Sequence, residues 1–219
     1  MWYHGFDGSF SRIGYATSSD GINWTKHQNN PVLSEGGYGE PDEIGVGEPV
    51  VIKENDNYKM WYGCYDGWYW RICHACSEDG IIWEKHSGNP VLSENADWEA
   101  WDGGGLGGPA VVRNNDEYVM FFGGRDWYDY NIGIGKAISH DGVDWTRDAK
   151  NPFFCSDPSS AWESAGMFHP TLLVYENQNL LHIWYRGSDG SDYAIGLAST
   201  PLHINKISTG LPWIFLLLE

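Results

Sequence analysis

Three stretches of the chain repeat one another. Tyr15–Leu33 reads YATSSDGINWTKHQNNPVL, His74–Leu92 reads HACSEDGIIWEKHSGNPVL and Lys136–Phe154 reads KAISHDGVDWTRDAKNPFF. A second motif precedes the later copies and follows the last. It is GEPVVIKENDNYKMWYG at Gly47–Gly63, GGPAVVRNNDEYVMFFG at Gly107–Gly123 and HPTLLVYENQNLLHIWYRG at His169–Gly187. The period is about 60 residues, in the range of repeat architectures.

Each unit reads as four strands. The β-branched run Val50-Val51-Ile52 after Pro49 is the first, Tyr58–Cys64 the second, about Arg71–Ser77 the third and Ile82–His86 the fourth. Asp-Gly and Asn-rich turns between short aromatic runs are hairpin signals, and helical periodicity is absent. Four strands per unit at this period predict an all-β β-propeller, with blades stacked face to face. Residues 1–219 form one domain, with blade repeats at about 1–33 plus 210–219, 47–92, 107–154 and 169–206.

Met1–Cys64 itself shows how the chain begins, since Met1-Trp2-Tyr3-His4 aligns with Met60-Trp61-Tyr62-Gly63. The segment 210–219 resembles a first strand, with Pro212 in the repeat's proline position. The expectation is a ring of four repeats closed by pairing the C-terminal strand with the N-terminal strands. The alternatives are an incomplete five-bladed propeller and self-association of two chains through open edges, which unpaired strands invite.

Composition narrows the partners. With 13 Lys+Arg against 30 Asp+Glu the net charge is −17. That charge disfavours nucleic acid and anionic membranes, which reward Lys and Arg. No apolar run reaches a membrane span, and Met1-Trp2-Tyr3 lacks the basic and apolar regions of a signal peptide. The four cysteines are too few for a disulfide framework. Cys73 and Cys76 form a CxxC inside a predicted strand, where their side chains point to opposite faces, so both read as buried thiols rather than a redox or zinc pair. An acidic funnel suits Ca²⁺ through oxygen ligands, but no Ca²⁺ loop motif supports one, and no cofactor is expected.

Strand direction gathers the start of each first strand and each turn between strands 2 and 3 at one face. Asp42, Asp102 and Glu163 each stand seven residues before their Pro. Positions that repeat usually serve the repeat, as loop anchors. The position just before the Pro instead varies, as Glu48, Gly108 and His169, and so does the set His4, Gly63, Gly123 and Arg186. Glu48 and His169 are therefore the leading functional candidates, with His4 and Arg186 as hydroxyl binders. Asp7, Asp66 and Asp189 precede Gly and read as turn residues, although Asp66 also faces the predicted site. Trp61, Trp68, Trp70, Trp101, Trp127, Tyr128 and Tyr130 are candidate platforms for a sugar ring. Trp24, Trp83 and Trp145, at matching positions in the opposite hairpins, read as blade-packing residues.

The order GxPxVI, YKMWYG, IGYATSxDGxxWTK, NPVL resembles the repeats of the five-bladed propeller glycosidases. That group includes the arabinanase/xylosidase-like enzymes, the invertase/levansucrase clan and the mannoside phosphorylases. The resemblance implies carboxylates around a central funnel, one acting as acid and another as nucleophile or base. Carried over, it makes Glu48, Asp102 and Glu163 catalytic candidates; from their places at the predicted face, His169, Arg186, His4, Trp61, Trp101, Asp66 and Asp42 are the candidates for binding substrate. It implies a glycoside hydrolase-like protein acting on a poly- or oligosaccharide. The chain departs from the pattern at Gly108 and His169, where carboxylates would stand. A non-catalytic glycan- or protein-binding propeller, or a truncated inactive relative, is the alternative.

Overall fold

A computed structural model describes residues 1–114, 116–128, 132–157, 159–175 and 180–201. The described residues form four consecutive β units and no helix. The first unit contains β1 (Trp2–Phe6), β2 (Ser11–Thr17) and β3 (Thr25–Lys26). The second contains β4 (Gly45–Glu54), β5 (Asn57–Tyr65), β6 (Trp70–Ser77) and β7 (Glu84–Lys85). The third contains β8 (Gly105–Asn114), β9 (Glu117–Arg125), β10 (Ile132–Ser139), β11 (Thr146–Arg147) and β12 (Phe154–Cys155). The fourth contains β13 (Gly166–Tyr175), β14 (Leu180–Ser188) and β15 (Tyr193–Pro201). Neighbouring strands within a unit are antiparallel, and one parallel pair, Ser11 with Gly45, joins the first unit to the second. The sheets are not closed into a ring among the described residues. The predicted closing strand, 210–219, lies outside them.

Two expectations about the strands change. The inner strands begin before their prolines, because a bulge between Gly47 and Val50 holds Pro49 out of the ladder, where its missing N–H costs nothing. The same irregularity recurs at Gly107/Ala110 and Phe168/Thr171. The outer fourth strand is only two residues long, not Ile82–His86. The Asp79 carboxylate takes the N–H groups of Ile81 and Ile82, at 2.8 Å each, so these donors serve a turn instead of a ladder.

The Asn-Pro motif spans the gap that follows. Asn89 accepts the His74 N–H at 2.8 Å and donates to the His74 carbonyl at 3.0 Å, so its side-chain amide imitates a strand neighbour. Asn30 does the same for Tyr15, and Asn151 for Lys136. All three Asn-Pro peptide bonds are cis. Beyond them Leu33 and Leu92 return to pair with Ile13 and Ile72.

The apolar core lies between units. One cluster joins Ile52, Trp61 and Ile72 to Leu106, Met120 and Phe122 across the second and third units. Others join the third to the fourth and the first to the second. Each large buried side chain contributes about 1.5–3 kcal/mol. A forward-reaching hydrogen bond recurs as well: Trp2 Nε1 donates to the Gly80 carbonyl and Trp61 Nε1 to the Gly142 carbonyl, both at 2.7 Å. Trp83 and Trp145, beside those carbonyls, meet Trp2 and Trp61 edge-on and pack as expected. Trp24 has no such partner among the described residues and stays 42% exposed.

The cysteine reading is corrected in two respects. Cys73 is bonded to Cys64 on the adjacent strand, not left as a thiol. Cys64 faces Arg71 and Tyr62 faces Cys73, so the bridge runs diagonally across the β5–β6 hairpin. Cys76 points the other way and is exposed.

Candidate functional site

The three bulges bring their pre-proline residues together at the end of the fold that we term the mouth. Glu48, Gly108 and His169 all adopt the left-handed conformation, with φ of 52°, 55° and 50°. This turns each residue out of its strand. Glu48 Oε2 accepts the Gly108 N–H at 2.6 Å, and Glu48 Oε1 lies 3.2 Å from His169 Nε2. Gly108 is required by contact as well as by φ, since a Cβ there would sit 2.8 Å from the His169 Cα. A cavity of about 180 Å³ adjoins the pair, lined also by Trp70, Arg125 and Phe168.

The varying positions of the neighbouring strands point here too. His4 packs on Gly47, with its ring 2.9 Å from where a Gly47 Cβ would stand. Arg186 pairs across the ladder with Phe168, next to His169. Its guanidinium lies between the rings of Phe168 and Tyr193, at 4.9 and 4.6 Å from their centroids. Crowding strips water from the His169 ring and lowers its pKa below the usual histidine value; the Glu48 carboxylate pulls it back up and the Arg186 cation adds to the lowering. The side chain is still 44% exposed, so the ring is crowded but not sealed. A neutral ring that donates from Nε2 to Glu48 leaves Nδ1 as an acceptor.

The other carboxylate candidates lie in loop anchors. Asp42, 2% exposed, accepts the Tyr62 hydroxyl and pairs with Lys85 Nζ at 2.7 Å. Asp102 is fully buried and pairs with Arg147 Nε at 2.9 Å, while Arg147 also donates to the Ser93 carbonyl. Glu163 accepts the Tyr185 hydroxyl at 2.8 Å; burial and then this carboxylate push the Tyr185 pKa up to about 12. No hydrogen bond or ion pair joins these three to Glu48. Asp66 caps the Trp68 and Tyr69 amides and pairs with Arg71, which also holds Glu94; Asp7, Arg12 and Glu35 repeat this arrangement in the first unit. Asp66 also lines a larger cavity, of about 490 Å³, which shares no residue with the one at Glu48.

One aromatic platform is corrected. Trp61 is fully buried between units, where no sugar can reach it. Trp101 stacks on Phe122 and fills the space above Gly124 and Gly135. Trp68, Trp127 and Tyr128 are exposed, Trp70 stacks on Tyr65 beside the cavity, and Tyr130 lies outside the described residues. Sequence reasoning missed the Gly108 amide as a donor and Phe168 and Tyr193 as the clamp on Arg186. Only the change of residue at the repeat positions signalled them. Among the described residues, no group of three or more His, Cys, Asp or Glu is arranged to hold a metal ion.

A family model described as beta-1,4-mannooligosaccharide phosphorylase, of the glycoside hydrolase 130 group, matches residues 2–95. Over that stretch the chain is similar to the mannoside phosphorylases. Among curated proteins, a 1,2-beta-oligomannan phosphorylase of a Thermoanaerobacter species is 31% identical over 192 residues, covering 85% of this chain and 56% of its own. An uncharacterized protein of Mycobacterium tuberculosis is 29% identical over 193 residues, covering 85% and 60%. The chain thus spans little more than half the length of these relatives. Among solved structures, a thermostable family-43 glycoside hydrolase superposes with a TM-score of 0.70 at 17% identity, covering 90% of this chain and 66% of that one. This likeness shows the propeller fold shared with the glycosidases.

Proposed function

We propose that the mouth is a carbohydrate-processing site of glycosidase type, with Glu48 as its reactive carboxylate. The observation that carries this reading is the Glu48–His169 contact, made by two residues in a strained conformation that a scaffold would fill with Gly, as it does at Gly108. The Gly108 amide fixes one carboxylate oxygen and leaves the other to share a proton with His169 or a sugar hydroxyl. Such a group serves as a general acid or base when a glycosidic bond breaks. His4 and Arg186 supply donors around it, and Trp70 supplies an apolar wall.

Asp102 and Glu163 are proposed as anchors that hold the loops leading to β8 and β13. Hydrolysis uses a second carboxylate about 5–9.5 Å from the first, whereas phosphorolysis uses phosphate in place of the attacking water. The relatives named as mannan phosphorylases make β-mannosides the first substrates to try. The test is to incubate the protein with β-mannosides and arabinosides, with and without inorganic phosphate, and to analyse the released sugar. Free sugar supports hydrolysis and sugar phosphate supports phosphorolysis. Glycan binding without turnover, unchanged in Glu48→Gln, would replace this reading with a non-catalytic propeller.

A further inference from the structure

Among the described residues, Arg186 is a cation without a counter-charge. It makes no hydrogen bond or ion pair with any described residue, and its Nε is buried without a partner. A guanidinium carries five N–H donors in a planar fork that fits a carboxylate with two parallel bonds. Stacking between Phe168 and Tyr193 fixes the plane of that fork, so little freedom remains to be lost on binding. At the equivalent positions of the second and third units stand Gly63 and Gly123, so scaffolding does not require a long basic side chain there.

We propose that Arg186 recognises the carboxylate of an acidic sugar, so that the saccharide taken at the mouth carries a uronic acid. This rests on the reading of the mouth as a saccharide site and names the substrate class. Two observations favour a sugar carboxylate over a free oxyanion. Tyr193 is 66% exposed beside the guanidinium and offers a ring face to the C–H surface of the same sugar; a small inorganic anion has no use for it. The Glu48 carboxylate, which contacts His169 next to Arg186, repels a dianion more strongly than a monoanion. The net charge of −17 further selects against densely charged chains and points to an isolated uronic acid among neutral sugars.

The test titrates the intact chain with an aldobiuronic acid, one uronic acid joined to one neutral sugar, and with its carboxyl-reduced counterpart, following tryptophan fluorescence. Inorganic phosphate serves as a third probe. The acidic disaccharide is expected to bind at least about tenfold more tightly than the reduced one, as loss of a charge-assisted pair requires. Arg186→Gln should erase the preference, and Arg186→Lys, which keeps the charge but not the fork, should retain part of it. The comparison of the two sugars on the unaltered protein stands even where a variant fails to fold. Equal binding of both sugars overturns the proposal and leaves the saccharide site intact. Phosphate binding without preference for the acidic sugar overturns it in favour of a free anion. Failure of both sugars and phosphate to bind removes the proposal together with the reading of the mouth.

Discussion

His169 Nε2 lies 3.2 Å from Glu48 Oε1, although the two residues belong to units separated by a whole intervening unit. Gly108, from that intervening unit, completes the contact through its amide. Glu48→Gln keeps an oxygen for the Gly108 N–H but cannot exchange a proton. It should lower turnover of any responsive glycan by about 10²–10⁴-fold, the usual worth of a general acid or base, with little change in melting temperature. Steady-state kinetics beside a thermal melt would check this; retained turnover removes Glu48 from the chemistry.

The left-handed backbone at His169 predicts an opposition between stability and activity. A non-glycine residue held there costs about 1–2 kcal/mol. His169→Gly should therefore be neutral or gain up to about 1 kcal/mol in urea unfolding, while activity at the mouth falls. A clear loss of stability would mean that the imidazole is a structural prop.

Burial, then the Lys59 charge, lowers the His74 pKa from 6.5 to about 4. The unfolded chain protonates this residue first, so its contribution is full above pH 6.5 and is lost as the pH falls towards 4. The loss is a few kcal/mol at most. His74→Tyr, the residue found at the matching position Tyr15, should flatten the melting temperature between pH 6.5 and 4. An unchanged slope would assign the acid sensitivity elsewhere.

Closing the short loop between Cys64 and Cys73 stabilises the fold by about 2–3 kcal/mol in the chain-entropy account. The double variant Cys64→Ala/Cys73→Ala should lower the urea midpoint accordingly. Non-reducing peptide mapping of the parent should recover the two cysteines linked. Free thiols at both positions would contradict the pairing.

Arg147→Met strands the buried Asp102 charge and should cost about 3–5 kcal/mol. Adding Asp102→Asn in that background should recover part of the loss. Purely additive effects in this cycle would show that the pair does not anchor the loop.

The repeat made the second and third strands readable, because aromatic runs and Asp-Gly turns have local causes. It also singled out Glu48 and His169, at a position that varies between units, and His4 and Arg186, which stand where other units have Gly63 and Gly123. Other features depend on which surface meets which. Trp61 has the chemistry of a sugar platform and of an interblade plug, and only the Gly142 carbonyl of the next unit decides between them. Cys64 and Cys73 pair through a diagonal register that no spacing rule reveals. Asp102 has the chemistry of a funnel acid, and its pairing with Arg147, from a later strand, has no signature in the spacing.

The indoles that reach forward have a further consequence during synthesis. The Trp2 donor waits 78 residues for its acceptor and the Trp61 donor waits 81. As the chain emerges from the ribosome, the first and second units each meet this acceptor only when the next unit has been made. A chain stalled before Gly80 or before Gly142 leaves the Trp2 or the Trp61 indole without its acceptor.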